Sequence, residues 1–208
     1  MSKDSYIHQV VPGSPGGPLL FTFHGTGGDE SQFLGLARDL LPAATIVSPR
    51  GDVSEHGAAR FFRRTGEGVY DMDDLARAAG KMSTFVHAHV EAAKPSSVVG
   101  LGYSNGANIL AALVFADPAL FDAAVLMHPL IPFEPDVKGS LAGRHVLITA
   151  GRRDPICPPH LTVRLEAHLR ALGADVTVEW HEGGHEIRQN EIDAARLFLN
   201  GAPVAGAK

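Results

Sequence analysis

Six short, almost uninterrupted apolar runs constrain this chain most. They are LLFTFH (19–24), ATIVSP (44–49), SVVGLGY (97–103), AAVLMH (123–128), RHVLITA (144–150) and DVTVEW (175–180). Each has strand length, is rich in β-branched or continuously apolar residues, and is bounded by Gly, Pro or polar residues. Strands with no polar alternate face must be covered on both sides, which is the condition of a parallel sheet. Helical patterns lie between most of them. Asp71 to about Ala93 is long, and Asp71, Asp73 and Asp74 suit a helix N-terminus, where the backbone dipole favours negative charge. Asn105–Ala116 follows the third run. Pro159–Leu172 sets Leu161, Leu165, Leu169 and Leu172 on one stripe and stops at Gly173. Ile187–Leu199 closes the series. The alternation predicts an α/β fold, with a mostly parallel central sheet and helices on both faces.

With 208 residues, 45% of them hydrophobic, the chain suits one domain over 1–208, with 201–208 a frayed tail. No gap in the pattern is long enough for an inserted cap domain. Two connections are long for this class, 49–70 and 129–143, and long loops in compact domains are often functional. The formal net charge of −5 argues against a nucleic-acid partner. Arg60, Arg63 and Arg64 form too small a basic patch to reverse that. The single cysteine, Cys157, excludes an intrachain disulfide. There is no apolar run of signal-peptide or membrane-spanning length, so a soluble, cytoplasmic protein is expected.

Gly102-Tyr103-Ser104-Asn105-Gly106 matches G-x-S-x-G and falls where a strand passes straight into a helix. The chemistry needs that context. A serine on a tight, strained turn stands clear of the sheet, and small residues two positions either side let strand and helix approach. The helix N-terminus offers N–H groups where an oxyanion would form. The bland alternative is a glycine-rich turn opening an ordinary βα unit. A serine hydroxyl needs a base, and the base an orienting carboxylate. In this architecture they follow in the order Ser, acid, His. Asp154 lies just past RHVLITA and His185 just past DVTVEW, both at the carboxyl edge of the sheet, where open α/β proteins place their sites. Taken alone, Asp154 would be read as a turn or N-cap residue.

The stretch HEGGH (181–185) also matches the H-E-x-x-H zinc pattern, with His181 and His185 as ligands. That pattern requires a helix. Gly183 and Gly184 each cost a helix about 0.8–1.0 kcal/mol against Ala, and the segment follows a strand. A loop carrying His185 to Ser104 fits better, leaving His181 as a strand-end residue and no metal site. His24-Gly25-Thr26-Gly27-Gly28, after the first strand, exposes backbone N–H groups. One oxyanion donor of this fold comes from such a loop and another from the residue after the nucleophile, which assigns the N–H groups of Thr26 and Asn105. The rival, a phosphate loop, lacks the G-K-[ST] ending.

At these residues the chain resembles the small carboxylesterase/phospholipase branch of the α/β-hydrolases, which includes acyl-protein thioesterases, and within it the bacterial MhqD-type hydrolase subgroup. FHGTGGDE, FFRR, GYSNGAN, GRRDPICP and EGGHEI carry the resemblance in order, over positions 23–187. It implies a serine hydrolase with Ser104, Asp154 and His185 as its triad, Thr26 and Asn105 as oxyanion donors, no cofactor, and often a homodimer. The expected substrate is a small or single-chain acyl ester. An acyl-thioester or lysophospholipid is the alternative on the same triad. A zinc hydrolase using His181 and His185, and a non-catalytic binding protein on this fold, are remoter readings. Dienelactone-type enzymes of the fold carry cysteine at the elbow, where this chain has serine, and Cys157 reads as a small buried hydrophobe.

The substrate pocket is expected among Phe61, Phe62, Arg64 and Tyr70 in the first long connection, with Ile131 and Phe133, beside Leu130, in the second. Simple packing is an equal alternative for these residues. The remaining histidines, His128 among them, read as solvated or hydrogen-bonded bystanders.

Overall fold

The computed structural model describes residues 2–137 and 139–201. The tail expected at 201–208 therefore lies, beyond Gly201, outside the described residues. Each apolar run forms a strand of one seven-stranded sheet. In chain order its strands are β1 (His8–Val11), β2 (Leu19–Phe23), β3 (Thr45–Pro49), β8 (Val98–Tyr103), β9 (Ala123–Met127), β10 (His145–Gly151) and β11 (Asp175–His181). Their spatial order is β1-β3-β2-β8-β9-β10-β11. All neighbours are parallel except β1, which pairs antiparallel with β3 at the edge. Its half-exposed HQVV sequence has no continuous apolar run to mark it as a strand.

Among the described residues, five helices cover the sheet. On one face lie α2 (Met72–Ala93), α3 (Asn105–Ala116) and α4 (Pro159–Ala171). They share a core with Phe21, Phe23, Met82, Phe85, Ile109, Leu113 and Ile148. On the other lie α1 (Leu34–Leu40) and α5 (Gln189–Gly201), over Leu20, Ile46, Val99, Val125 and Leu147. Successive strand residues therefore feed opposite cores, which is why the runs are apolar throughout. Helix α3 is buried along almost its whole length, Asn105 to Phe115. The Asp71 carboxylate caps α2 by accepting the Asp74 N–H.

The connection at 49–70 is not structureless. It folds into two small antiparallel ribbons, β4 (Val53–Glu55) with β5 (Ala58–Arg60), and β6 (Arg64–Gly66) with β7 (Val69–Tyr70). The strand order fixes where a site can form. From β2 the chain moves outward to β3, then returns to β8 on the other side of β2. The loops leaving β2 and β8 diverge at this reversal, and the crevice between them is the usual ligand position in open α/β sheets.

Candidate active site

Ser104 occupies the sharp turn between β8 and α3, at φ 53° and ψ −118°. This conformation is strained for any residue with a side chain. The turn is clamped: Ser104 N–H donates to Met127 O (2.9 Å), and Ser104 O accepts from Asn108 N–H (3.0 Å). Glycines make the clamp possible. A Cβ on Gly106 would sit 2.0 Å from the Phe23 carbonyl oxygen, and one on Gly102 2.4 Å from that of Gly106.

The structure brings Ser104, His185 and Asp154 together. The Ser104 hydroxyl lies 2.8 Å from His185 Nε2, placed to donate to it. On the other side of the ring, His185 Nδ1 lies 2.7 Å from Asp154 Oδ2. Asp154 is buried, and its Oδ1 accepts the N–H groups of Ile156 (2.8 Å) and Cys157 (2.9 Å). Burial opposes its charge, but bonds from His128, His185 and Cys157 outweigh that and hold the carboxyl far below the usual range. The Tyr103 hydroxyl donates to the His185 carbonyl (2.7 Å), tying the histidine loop to the elbow.

Thr26 and Asn105 face the same crevice as Ser104. Among the described residues, neither of their backbone N–H groups has an acceptor within the protein. The loop carrying Thr26 is anchored from the long connection. Arg60 Nη1 donates to Thr26 Oγ1 (2.7 Å), and Gly27 N–H to Ala59 O (2.9 Å). Phe61 N–H donates to Asn105 Oδ1 (2.8 Å), fixing the elbow to the same connection. His24 accepts the Gly51 N–H at Nε2 and faces Gly25 O at Nδ1. It is a neutral strut, its pKa lowered mainly by burial.

The crevice is a cavity of about 300 Å³. Of the residues expected to line it, Arg64, Tyr70 and Leu130 do so, with Arg60, Asn108 and Ile156 beside them. Four expectations are corrected. Phe61 and Phe62 are fully buried, Phe61 against His24 and Phe23 and Phe62 against Tyr70, so their rings belong to the core. Ile131 and Phe133 border a separate small hollow with Arg164 and His168. Phe61 and Phe62 lie on the bend between β5 and β6, where both rings turn into the core. The arginines are not a free basic patch. Arg60 and Arg64 both pair with Glu55, and Arg63 with Asp71 and Asp74. Asn108, unnoticed in the sequence, receives the Leu130 N–H at Oδ1 and donates to the Tyr70 hydroxyl, each at 2.7 Å. Its position one turn after Ser104 was the available signal.

The zinc arrangement does not form. His181 ends β11 and residues 182–186 are bends rather than helix. His181 Nδ1 accepts the Gly183 N–H (2.9 Å), and its Nε2 faces Glu191 at 3.2 Å. His181 thus clusters with His128 and Glu191 in the interior rather than with His185.

His128 is no bystander. It is completely buried beside Asp154.

A strained serine at a strand-to-helix turn, on a parallel sheet with the acid and histidine on later strand ends, defines an α/β-hydrolase. The chain belongs to the dienelactone hydrolase family, whose sequence profile matches residues 58–192. It is 38% identical to a Bacillus subtilis protein named as a hydrolase, MhqD, over 188 residues, 89% of this chain and 94% of that one. A protein of unknown function from Agrobacterium tumefaciens shares 61% identity and superposes with a TM-score of 0.93, over 98% of this chain and 100% of that one. A Bacillus cereus carboxylesterase shares 36% identity with a TM-score of 0.90, over 95% and 94%. The chain is a hydrolase of the dienelactone hydrolase and carboxylesterase type. Among the described residues, no helix is long and apolar enough to cross a membrane.

Proposed function

We propose that this chain is a serine carboxylesterase that cleaves small or single-chain acyl esters through an acyl-enzyme on Ser104. The observation that carries the reading is the preassembled line from Ser104 Oγ to His185 Nε2 (2.8 Å) and from His185 Nδ1 to Asp154 Oδ2 (2.7 Å). Attack by Oγ on the ester carbonyl passes the hydroxyl proton to His185 Nε2. Asp154 holds the imidazole in the tautomer whose Nε2 is free to accept, and stabilises the imidazolium. The N–H groups of Thr26 and Asn105 receive the oxyanion. As the intermediate collapses, His185 gives its proton to the leaving alkoxide. Water then repeats the sequence on the acyl-enzyme, releasing the acid and restoring Ser104.

The modest volume of the crevice favours a small acyl group. The Arg60 and Arg64 side chains, paired with Glu55 and, from Arg64, also with Glu67, give one wall a polar but compensated character. A thioester would use the same groups. The decisive experiment is fluorophosphonate labelling of Ser104, abolished in Ser104→Ala, beside a chain-length series of acyl esters and acyl-thioesters. Folded protein whose Ser104 is not labelled would sink the reading. Work in the cytoplasm as a homodimer belongs to the same proposal, and sedimentation reads the second part.

A further inference from the structure

His128 follows β9 directly and holds a left-handed backbone, φ 51°, with its N–H on the Thr149 carbonyl (2.8 Å). The side chain is entirely buried, and so are the two carboxylates that flank it. Nδ1 lies 2.9 Å from Asp154 Oδ2, the same oxygen that faces His185 Nδ1. Nε2 lies 3.0 Å from Glu191 Oε1, an ionic contact that is not aligned as a hydrogen bond. A neutral imidazole has one N–H and one lone pair. In this position it would turn the lone pair on a buried carboxylate, whichever tautomer it chose. Only the doubly protonated ring suits both neighbours.

The other groups around the ring do not compete for that role. Thr149 Oγ1 donates to Glu191 Oε1 (2.5 Å), and Arg188 N–H to Glu191 Oε2 (2.7 Å), so Glu191 is placed as a carboxylate. His181, at 5.4 Å between ring centroids, has its Nδ1 occupied by the Gly183 N–H. Tyr103, at 5.9 Å, is neutral, its pKa pushed up to about 12 chiefly by burial. Cys157 donates its thiol to the His128 carbonyl (3.2 Å) and is kept as a thiol by burial. His185 stands 5.1 Å away, across the shared Asp154.

We propose that His128 is a positioning residue for the reaction: a buried imidazolium, held by Glu191, that fixes the Asp154 carboxylate and moderates its pull on the proton of His185. The inference rests on the assignment of Ser104, His185 and Asp154 as the reacting line. Burial opposes the charge on His128, but the hydrogen bonds and charges of Asp154 and Glu191 prevail and raise its pKa to about 9. A positive charge 5.1 Å from His185 disfavours a second one there. Asp154 Oδ2 is shared between the two rings, so removing the charge on His128 would leave that oxygen to hold a proton at His185 more strongly.

The test is the pH dependence of Ser104 labelling by a fluorophosphonate, in wild type and in His128→Asn. Asparagine tolerates a left-handed backbone and can keep one donor on Asp154, but it carries no charge. The acid limb of the rate profile is expected to move up by about one to two pH units, so that labelling near the wild-type midpoint falls about tenfold or more. A profile lowered equally at every pH, or left unchanged, would overturn the proposal. A second reading needs no variant. In ¹⁵N-labelled wild type, the His128 ring should show two protonated nitrogens at neutral pH, and the His185 signals should step as His128 loses its charge. A neutral His128, or His185 signals indifferent to that titration, overturns the proposal as well. Failure of wild-type Ser104 to label at any pH would instead count against the serine mechanism, and the nitrogen spectra would still decide the state of His128.

Discussion

Asp154→Asn tests the site most sharply, because every group aimed at the carboxylate is a donor. Oδ1 accepts from the Ile156 and Cys157 N–H groups, and Oδ2 faces Nδ1 of both His128 and His185. An asparagine must keep its oxygen on the two backbone donors, which cannot reverse. Its amide nitrogen then takes the place of Oδ2, 2.7 Å from His185 Nδ1. To receive an N–H there, His185 must move its hydrogen to Nε2. That nitrogen lies 2.8 Å from Ser104 Oγ and would no longer accept a proton from it. Restoring the working tautomer sets donor against donor in a buried site, roughly 1–3 kcal/mol. Losing the buried ion pair that forms with the imidazolium adds about 3–5 kcal/mol. At 1.36 kcal/mol per factor of ten, the sum places kcat down by about 10⁴-fold. KM should change little, since Asp154 is buried and does not line the cavity. Steady-state hydrolysis of an activated ester, with near-ultraviolet circular dichroism to confirm the fold, measures both. A folded variant that lost less than about a hundredfold in kcat would refute the tautomer argument.

Three further outcomes follow from the same contacts. Gly106→Ala puts a Cβ 2.0 Å from the Phe23 carbonyl oxygen, so α3 must shift from β2; chemical denaturation should show a loss of about 1–3 kcal/mol, and ester turnover a loss of about a hundredfold as the elbow moves. Cys157→Ala removes a buried thiol that touches only the His128 carbonyl by hydrogen bond; it should cost about 1–2 kcal/mol in the same assay and leave kcat within a few-fold, whereas a cysteine nucleophile would lose everything. For His128 the folded pKa, about 9, lies above the ordinary 6.5. Its stabilisation is therefore complete below about pH 6.5 and is lost as pH rises through 9, at most about 3 kcal/mol in all. Thermal unfolding across that window should show a decline that His128→Asn flattens.

The sheet was legible because its chemistry is repetitive. Strands buried on both faces leave continuous apolar runs, and the six runs became six parallel strands. What escaped was structure held by polar detail. Edge strand β1 needs only one covered face, and the ribbons within 49–70 are short and half-exposed. Ser104, Asp154 and His185 could be picked out because each follows a strand, so sheet order alone carries them to one edge. The cavity wall could not, since Phe61 and Phe62 sit in a segment whose turn toward the core depends on backbone contacts to Asn105 and Gly51. Those contacts are close: a Cβ on Gly51 would meet the Arg60 carbonyl at 2.3 Å.

His128 and Glu191 show the deeper limit. His128 also follows a strand, so its place at the sheet edge could be read, but its partner lies on α5, 63 positions later, and nothing local marks the pair. The H-E-x-x-H pattern drew attention to His181 and His185 as a unit. The fold divides them: His185 turns to Ser104, while His181 turns the other way, to Glu191. Between the two stands His128, bonded to Asp154 on one side and paired with Glu191 on the other. The histidines and acids that a metal would need are thus present, and in this structure they bond to Gly183, Asp154 and Glu191. The same donor types that could have made a metal site make a buried chain of charge and hydrogen bonds behind the serine. Its function follows from where the protons sit, which the residue types alone do not determine.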